Sequence, residues 1–472
     1  MNDQSTNLLD RTIQRFRRAF VVPGARRDDV SGLAPELPED DAKRLRRRIN
    51  ACLDGRGGEV SARAHAADLA KALCELNAIG RRRFLEILAT EYDRDSAAVD
   101  AAIMKRNQAA DDRARRQAEA ELRLALVAPR LRLLPQFNSL EEGVKFLVDL
   151  RAELRDLTDE PALKALDDDF RTLFTNWFDI GFLDLKNITW DTPAVLLEKL
   201  IEYEAVHEIR SWDDLKNRLD SDRRCYAFFH PRMPAEPLIF VEVALVSGMA
   251  DNVHTLLDEH APAEDPQNAD TAIFYSISNC QDGLAGVNFG NFLIKRVVGD
   301  LARDLPKLKT FATLSPIPGF RSWLDRQVEA EGFDQLLTPG EARLLIALSR
   351  VDEAGKALKA LKALLDRDDW HLDQEIGAAL QPVLLRLGAS YLVRERRGKR
   401  AHDRVAHFHL TNGARVERIN WLADVSPRGL KQSAGLMVNY RYKLDEIEKN
   451  HEAYSGSSKI KVAQPVQKLL KV

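Results

Sequence analysis

Three short segments in the C-terminal half carry side chains that could take part in proton transfer. Ser315 precedes Pro316 in Thr-Leu-Ser-Pro-Ile-Pro-Gly-Phe, and proline restricts the residue before it to extended backbone. His407 and His409 alternate in Val-Ala-His-Phe-His-Leu, and imidazole titrates near neutral pH. Tyr442 ends Asn-Tyr-Arg-Tyr, where a buried phenol could donate a hydrogen bond to an oxyanion. Each segment also has a structural explanation: a strand-ending turn, a polar strand face and an aromatic core.

A glycine-rich turn offers a second kind of chemistry, the binding of an anion. Gly283, Gly286 and Gly290 lie between an apolar run and an amphipathic segment. Glycines in such a turn let backbone N–H groups approach a phosphate, and the start of the next helix adds positive partial charge. The spacing is neither a Walker A motif nor a dinucleotide fingerprint, and we expect no parallel βαβ unit around it. A purely structural turn explains the glycines equally well.

Composition and charge exclude several classes of protein. The chain has 472 residues and a formal net charge of −3, which gives no electrostatic reason to expect nucleic-acid binding. None of the four cysteines lies in a CxxC pair or beside a histidine at ligand spacing, so we expect neither a disulfide framework nor a zinc site. The His-x-His pair lacks a third ligand nearby in the sequence. We therefore expect no metal.

No segment of the sequence indicates a membrane or an organelle. No run approaches the roughly 18 apolar residues of a membrane span. The first twenty residues are rich in arginine but include Asp3 and Asp10, which favours an amphipathic helix over a transit peptide. The last three residues are Leu-Lys-Val rather than a peroxisomal Ser-Lys-Leu. We expect a bacterial, cytoplasmic protein.

The elements that would position the candidate residues fall into two parts. In residues 1–180 the apolar side chains recur at helical spacing, for example Leu69, Leu73 and Leu76, and strand-like alternation is nearly absent. This pattern predicts a helical bundle domain. Residues 181–472 are mixed in texture, so the fold class that we expect for the whole chain is α+β.

The second part is predicted to contain a sheet that is interrupted by helices. Apolar runs at 237–246, 271–277 and 309–314 read as strands, and residues 320–396 read as a helical insertion between two strands. Asn-Gly, the favoured pair for a tight turn, follows the histidine segment. It predicts a hairpin over 405–419, in which His-x-His would occupy one face of a strand.

Taken together, the C-terminal segments resemble those of malonyl-CoA decarboxylases. The residues that carry the resemblance are FFHPRMPAEPLIFVEVAL (228–245), FYSIS (274–278), GLAGVNFGNFLIKRVV (283–298), LSPIPGF (314–320), FHLTNGA (408–414), RINWLADVSPRG (418–429) and GLMVNYRY (435–442). They span most of residues 180–445 in the family's order. The resemblance implies an N-terminal helical oligomerisation domain, a homotetramer, and a catalytic domain with the N-acetyltransferase (GNAT) fold.

The resemblance also implies roles for particular residues. The catalytic serine falls on Ser315 and the catalytic histidine on His409, not on His407, with Tyr442 in a supporting role. The coenzyme A loop falls on Ala285, Gly286, Val287, Asn288, Phe289, Gly290 and Asn291. Some family members carry an acidic residue where this chain has Asn288, and an amide cannot act as a carboxylate base.

The implied reaction converts malonyl-CoA to acetyl-CoA and carbon dioxide without a separate cofactor, because the thioester is itself the electron sink. Ser315 would orient the leaving carboxylate or accept a proton, and His409 would donate a proton to carbon. Backbone N–H groups of residues 285–291 or of a neighbouring strand would bind the oxyanion. Two other functions stay open. A CoA-dependent acyltransferase would need an amine acceptor, and a non-enzymatic malonyl-CoA-binding assembly protein would bind without turnover.

Overall fold

The computed structural model of the protein describes most of the chain. The described residues are 32–54, 58–287, 293–330, 336–349 and 357–471. The amphipathic helix expected in residues 1–20 lies outside them, as do Asn288, Phe289, Gly290 and Asn291 of the predicted coenzyme A loop.

The described residues form two compact units. The first contains the residues up to Asp184 with two later segments, and the second contains the remainder. The later segments of the first unit are Phe229–Leu238 and the stretch that begins at Gln281, and the second unit contains Leu185–Phe228, Ile239–Cys280 and the described residues from 293 onward. The first unit thus includes segments from beyond residue 180, while the division into domains 1–180 and 181–472 stays a prediction.

Helices make up most of the described residues before 180. They are α1 (Glu39–Asp54), α2 (Gly58–Cys74), α3 (Ala78–Thr90), α4 (Ser96–Asn107), α5 (Asp112–Ala125), α6 (Arg130–Leu133), α7 (Gly143–Arg155) and α8 (Pro161–Trp177), with 3-10 turns at Leu134–Ser139 and Ile180–Phe182. Several begin where the sequence offers a cap: Asn77, Asp95 and Asp111 accept hydrogen bonds from the first free N–H groups of α3, α4 and α5. Leu69 and Leu88 are among the fully buried side chains of this unit.

The sheet follows. Its strands are β1 (Asp184–Ile188), β2 (Arg223–His230), β3 (Met233–Val246), β4 (Thr271–Asn279), β5 (Thr310–Thr313), β6 (Ser315–Pro316), β9 (Arg415–Asn420) and β10 (Met437–Tyr442), while β7 (Arg396–Arg397) and β8 (Arg400–Ala401) form a separate pair. The order is β1-β2-β3-β4-β5-β10-β6, and β9 also pairs with β10. A helical region before a mixed sheet confirms the α+β class.

Further helices connect and cover these strands. They are α9 (Ala194–Tyr203), α10 (Trp212–Arg218), α11 (Val253–Leu256), α12 (Leu293–Asp304), α13 (Phe320–Glu329), α14 (Pro339–Ser349), α15 (Ala357–Leu365), α16 (Gln374–Val393), α17 (Arg404–Thr411), α18 (Pro427–Ser433), α19 (Ile447–Ser457) and α20 (Gln464–Leu469). The stretch predicted as a helical insertion contains α13 to α16. By length and composition α16 could cross a membrane, but 61% of its apolar window is buried inside the protein, as in a core helix.

In the sequence the glycine turn lies between the first strand and the helix of a parallel βαβ unit, and the expectation that there would be none was wrong. Strands β4 and β5 pair in parallel, with Thr271 opposite Thr310 and Phe274 opposite Thr313, and α12 connects them. A helix that crosses the sheet returns the chain to the edge from which it came, so the next strand runs parallel. The sequence predicts a strand at 309–314, but four strand residues do not reveal which strand they pair with or in which direction.

The hairpin predicted over 405–419 is also wrong, because its first half is the helix α17. Asp403 accepts hydrogen bonds from the N–H groups of Val405 and Ala406 and so starts the helix. Gly413 ends it with a φ of +83°, the left-handed conformation that commonly closes a helix. Asn-Gly therefore serves as a helix end here, and β9 pairs with β10 instead.

We expect the substitution Gly413→Ala to destabilise the fold by about 2–4 kcal/mol. A Cβ at this position would lie 2.2 Å from the carbonyl oxygen of Ile447, and the positive φ adds strain of roughly 1–2 kcal/mol. Urea denaturation measures the change. Gly377→Ala is the matched control, because a Cβ there meets nothing within 4 Å and alanine favours the helix. Equal stability of the two variants would contradict the prediction.

Candidate active site

Ser315 lies where the parallel pair of strands ends. The register of β4 and β5 stops at Phe274 and Thr313, and the N–H of Leu314 still donates to the carbonyl of Phe274 at 3.0 Å. The chain then turns to β10, and Ser315 pairs with Val438. The Ser-Pro sequence thus holds the hydroxyl at a fixed point of the sheet, as the proline predicts.

His409 is carried by α17, and the position of that helix depends on its buried cap. Asp403, which starts the helix, is itself buried. The hydroxyl of Tyr391 donates to its second carboxylate oxygen at 3.5 Å. Burial raises the pKa of Asp403, against hydrogen bonds from the backbone N–H groups of Ala406, Gly319 and Val405 that lower it. The cap therefore connects α17 to the residues around it.

Ser315, His409 and Tyr442 form a continuous hydrogen-bonded chain. The Oγ of Ser315 lies 3.1 Å from Nε2 of His409, and the hydroxyl of Tyr442 lies 2.8 Å from Nδ1 of the same ring. The three residues are 6%, 3% and 1% exposed, respectively. The structure therefore brings together the three residues that the sequence analysis selected as catalytic, although their roles stay predictions.

Burial sets the charge of this chain of residues. Desolvation lowers the pKa of His409 to about 3, because a buried imidazole is costly to charge. It raises the pKa of the Tyr442 phenol well above its usual value. At neutral pH the ring is therefore neutral and the phenol protonated. A neutral imidazole has one N–H and one acceptor nitrogen, so it links its two neighbours with a defined direction.

Two residues that contact Ser315 or His409 are not among the catalytic candidates predicted from the sequence. The hydroxyl of Ser315 donates to Oγ1 of Thr313 at 2.8 Å, and the ring of Tyr440 stacks on that of His409 with centroids 4.6 Å apart. Thr313 could have been found, because residues i and i+2 of an extended chain point to the same side. Tyr440 could have been found only with the position of α17, which was mispredicted.

The second histidine of the pair has a different environment. Nδ1 of His407 lies 2.8 Å from the hydroxyl of Tyr454, away from Ser315. In a helix, residues two apart do not share a face, so the expectation that His407 and His409 share a strand face was wrong. In the described part of the chain, no group of three His, Cys, Asp or Glu side chains is arranged to hold a metal.

The described part of the predicted coenzyme A loop belongs to the first compact unit. The guanidinium of Arg151 donates to the carbonyls of Gly283 at 2.7 Å and Ala285 at 3.1 Å. Gly286 has a φ of +77°, a conformation that favours glycine, and Val287 is buried. A Cβ at Gly283 would lie 1.7 Å from the carbonyl oxygen of Val148. At least one glycine of the turn is therefore required by close packing.

Comparison with known families identifies the chain. The sequence model of the malonyl-CoA decarboxylase C-terminal domain matches residues 181–472, and that of the malonyl-CoA decarboxylase N-terminal domain matches residues 92–178. The chain belongs to the malonyl-CoA decarboxylase family. As a member of this family it is a carboxy-lyase.

Individual malonyl-CoA decarboxylases match over most of the chain. The mitochondrial malonyl-CoA decarboxylase of Anser anser anser is 40% identical over 402 residues, which are 82% of this chain and 79% of the relative. The mitochondrial malonyl-CoA decarboxylase of Mus musculus is 41% identical over 377 residues, which are 77% of this chain and 76% of the relative. The crystal structure of the malonyl-CoA decarboxylase from Rhodopseudomonas palustris has a TM-score of 0.81 and 42% identity, covering 90% of this chain and 99% of that one. The crystal structure of the malonyl-CoA decarboxylase from Agrobacterium vitis has a TM-score of 0.81 and 41% identity, covering 91% of this chain and 100% of that one.

Proposed function

We propose that the protein decarboxylates malonyl-CoA to acetyl-CoA and carbon dioxide at the site of Ser315, His409 and Tyr442. The observation that carries this proposal is the buried hydrogen-bonded chain of these three residues in a member of the malonyl-CoA decarboxylase family. The reaction needs a group that orients a carboxylate, donors for an oxyanion and a proton for carbon. The chain of residues could supply the first and the third of these.

In the bond-breaking step, the bond between the carboxylate carbon and the α-carbon breaks. Its electron pair moves into the thioester and forms an enolate, while carbon dioxide leaves. We propose that the hydroxyl of Ser315 turns from Thr313 to the malonyl carboxylate and holds it out of the plane of the carbonyl. Its fixed position at the start of β6 supports this role, because a hydroxyl on rigid backbone orients its partner well.

In the second step, the α-carbon of the enolate takes a proton. We propose that it comes from Nε2 of His409, which lies 3.1 Å from the Ser315 hydroxyl and could therefore reach a substrate atom bound there. The ring is neutral in the free protein, but an arriving carboxylate favours its protonated form. The ring would take up one proton on binding and release it to carbon. This matches the one proton that decarboxylation to acetyl-CoA consumes. Tyr442 would hold the ring through Nδ1.

The oxyanion requires N–H donors near the thioester oxygen. Beyond Phe274, β4 continues through Asn279 alongside β3, whereas its register with β5 has ended. Along the edge of β4 beyond its pairing with β5, backbone N–H groups are donors of the type an oxyanion needs. One such donor typically stabilises the transition state by about 3–4 kcal/mol. Backbone N–H groups of the loop at 285–291 are the alternative source. In both cases backbone N–H groups bind the oxyanion, as expected from the sequence.

Three broader expectations accompany the proposal. The strand order, with a parallel β4–β5 pair among antiparallel neighbours, supports the GNAT fold for residues 181–472. The loop from Ala285 would bind the coenzyme A pyrophosphate. Assembly into a homotetramer through the helical residues 1–180 and a cytoplasmic location stay predictions, and the relatives named above include bacterial proteins as well as proteins named mitochondrial.

An assay without any acyl acceptor tests the function. Purified protein and malonyl-CoA should release carbon dioxide and acetyl-CoA in equal amounts, and added amines should not change the rate. Turnover that appears only with an amine would instead indicate an acyltransferase. Binding of malonyl-CoA without turnover would indicate a non-enzymatic binding protein.

A further inference from the structure

The hydroxyl of Thr313 lies at one end of the hydrogen-bonded chain and is fully buried. Its Oγ1 accepts a hydrogen bond from the backbone N–H of Tyr440 at 3.1 Å, and a backbone N–H can only donate. It also accepts the hydroxyl of Ser315 at 2.8 Å. The two acceptor positions of this oxygen are thus filled by two different donors.

The backbone of Thr313 is held in place as well. Nδ2 of Asn439 donates to the Thr313 carbonyl at 2.7 Å and to the carbonyl of Ala250 at 3.0 Å. The amide oxygen of Asn439 in turn accepts from Arg418 and Asn420. Both polar side-chain atoms of this fully buried asparagine are therefore engaged, which fixes its orientation. Thr313 can neither shift nor rotate its carbonyl without breaking this buried network.

The protons that these side chains carry determine the direction of the hydrogen bonds between them. Serine has one hydroxyl proton, and while Thr313 accepts it, the oxygen of Ser315 can only accept from His409. Nε2 of His409 must therefore carry the hydrogen. Because the neutral ring has one N–H, Nδ1 is left as the acceptor for the hydroxyl of Tyr442, 2.8 Å away. The hydrogen bonds run from Tyr442 through His409 and Ser315 to Thr313.

We propose that Thr313 is a positioning residue that fixes His409 in the Nε2–H tautomer and so aims its N–H at the site of reaction. Without the threonine hydroxyl, the proton of Ser315 can turn to Nε2, and the ring then carries its hydrogen on Nδ1 and donates it to Tyr442. That tautomer presents a lone pair instead of a donor to the arriving malonyl carboxylate, so productive binding is weakened before the ring gains its second proton. The effect on rate rests on the proposed function, whereas the tautomer of the free protein does not.

The test compares three variants. Thr313→Val keeps the side-chain shape but removes the oxygen, and Thr313→Ser keeps the oxygen. Thr271→Val is the matched control, because Thr271 is a buried threonine of β4 whose hydroxyl donates to Asp270 instead. Because the protonated ring carries hydrogen on both nitrogens, we expect Thr313→Val to act through the free enzyme: kcat/KM should fall by about 10-fold, while kcat stays within about threefold of the wild type. Thr313→Ser should restore kcat/KM to within about threefold, and Thr271→Val should leave kcat/KM unchanged.

The decisive readout is the ¹⁵N spectrum of the imidazole of His409 in substrate-free protein, assigned by the signal that His409→Gln removes. We expect an Nε2–H ring in the wild type, Thr313→Ser and Thr271→Val, and a shift towards Nδ1–H in Thr313→Val. A wild-type-like tautomer in folded Thr313→Val would overturn the proposal even if kcat/KM falls, since Thr313 would then act only on structure. If the wild type does not decarboxylate malonyl-CoA, the proposed function fails, but the spectrum still judges the tautomer.

Discussion

Ser315→Ala is expected to lower kcat for malonyl-CoA decarboxylation by about 100- to 1,000-fold while changing KM little. The hydroxyl of Ser315, at the start of β6, lies within hydrogen-bond distance of both Thr313 and His409. Loss of a single preorganised hydrogen-bond donor at a reacting centre typically costs a factor of this size. Most of the affinity for the substrate would come from its coenzyme A part, which the serine does not hold. Steady-state kinetics with coupled detection of acetyl-CoA measures both constants.

The control for this prediction is another buried serine. Ser433 is 1% exposed, and its hydroxyl donates to the carbonyl of Gly429 within the same short helix. Ser433→Ala removes the same atom without touching the hydrogen-bonded chain, so kcat should stay within about twofold of the wild type. A kcat for Ser315→Ala that is equally close to the wild type would remove Ser315 from the mechanism and leave its position in the sheet as its only role.

Local sequence patterns predict individual strands better than they predict which elements pair or pack together. The strands at 237–246 and 271–277 were predicted because a buried strand needs a continuous apolar run. Asn412-Gly413 was misassigned, because the same dipeptide closes a hairpin or a helix and only the preceding residues decide between them. Asp403, three residues before Ala406, was the signal for a helix, since its side chain caps the N–H groups that follow.

Local patterns were also insufficient to predict the contacts within the candidate site. Spacing alone could not choose between His407 and His409, and the resemblance to malonyl-CoA decarboxylases made that choice. The contact of His409 with Ser315 joins residues 94 positions apart, and no local pattern encodes it. Thr313 was overlooked because threonine in a strand is ordinary. Its significance appears only when Tyr440 and Ser315 are seen to share its oxygen.

The rate of decarboxylation is expected to depend on pH, because His409 is neutral in the free protein. Burial lowers the pKa of this ring from 6.5 to about 3, so the imidazolium fraction of the free protein falls tenfold with each pH unit above that value. If the imidazolium delivers the proton, kcat/KM should fall about tenfold per unit between roughly pH 6 and pH 8, because kcat/KM reports the free enzyme.

The constant kcat should behave differently, because it reports the complex with substrate. There the malonyl carboxylate stabilises the protonated ring and raises its pKa towards neutrality. We expect kcat to be flat at low pH and to fall only as the pH passes through that raised value. A kcat/KM that does not change over the same range would show that the ring acts only as a neutral hydrogen-bond donor.

Proton uptake on binding separates the ring from the substrate as the titrating group. Calorimetry would use a malonyl-CoA analogue that keeps the carboxylate but cannot lose carbon dioxide, in two buffers of different ionisation enthalpy near pH 7. The wild type should take up close to one proton per site. His409→Gln keeps an N–H donor but cannot be protonated, so its uptake should be close to zero. Equal uptake by both proteins would assign the proton to another group, because the carboxylate arrives at the same place in each and only the imidazole differs.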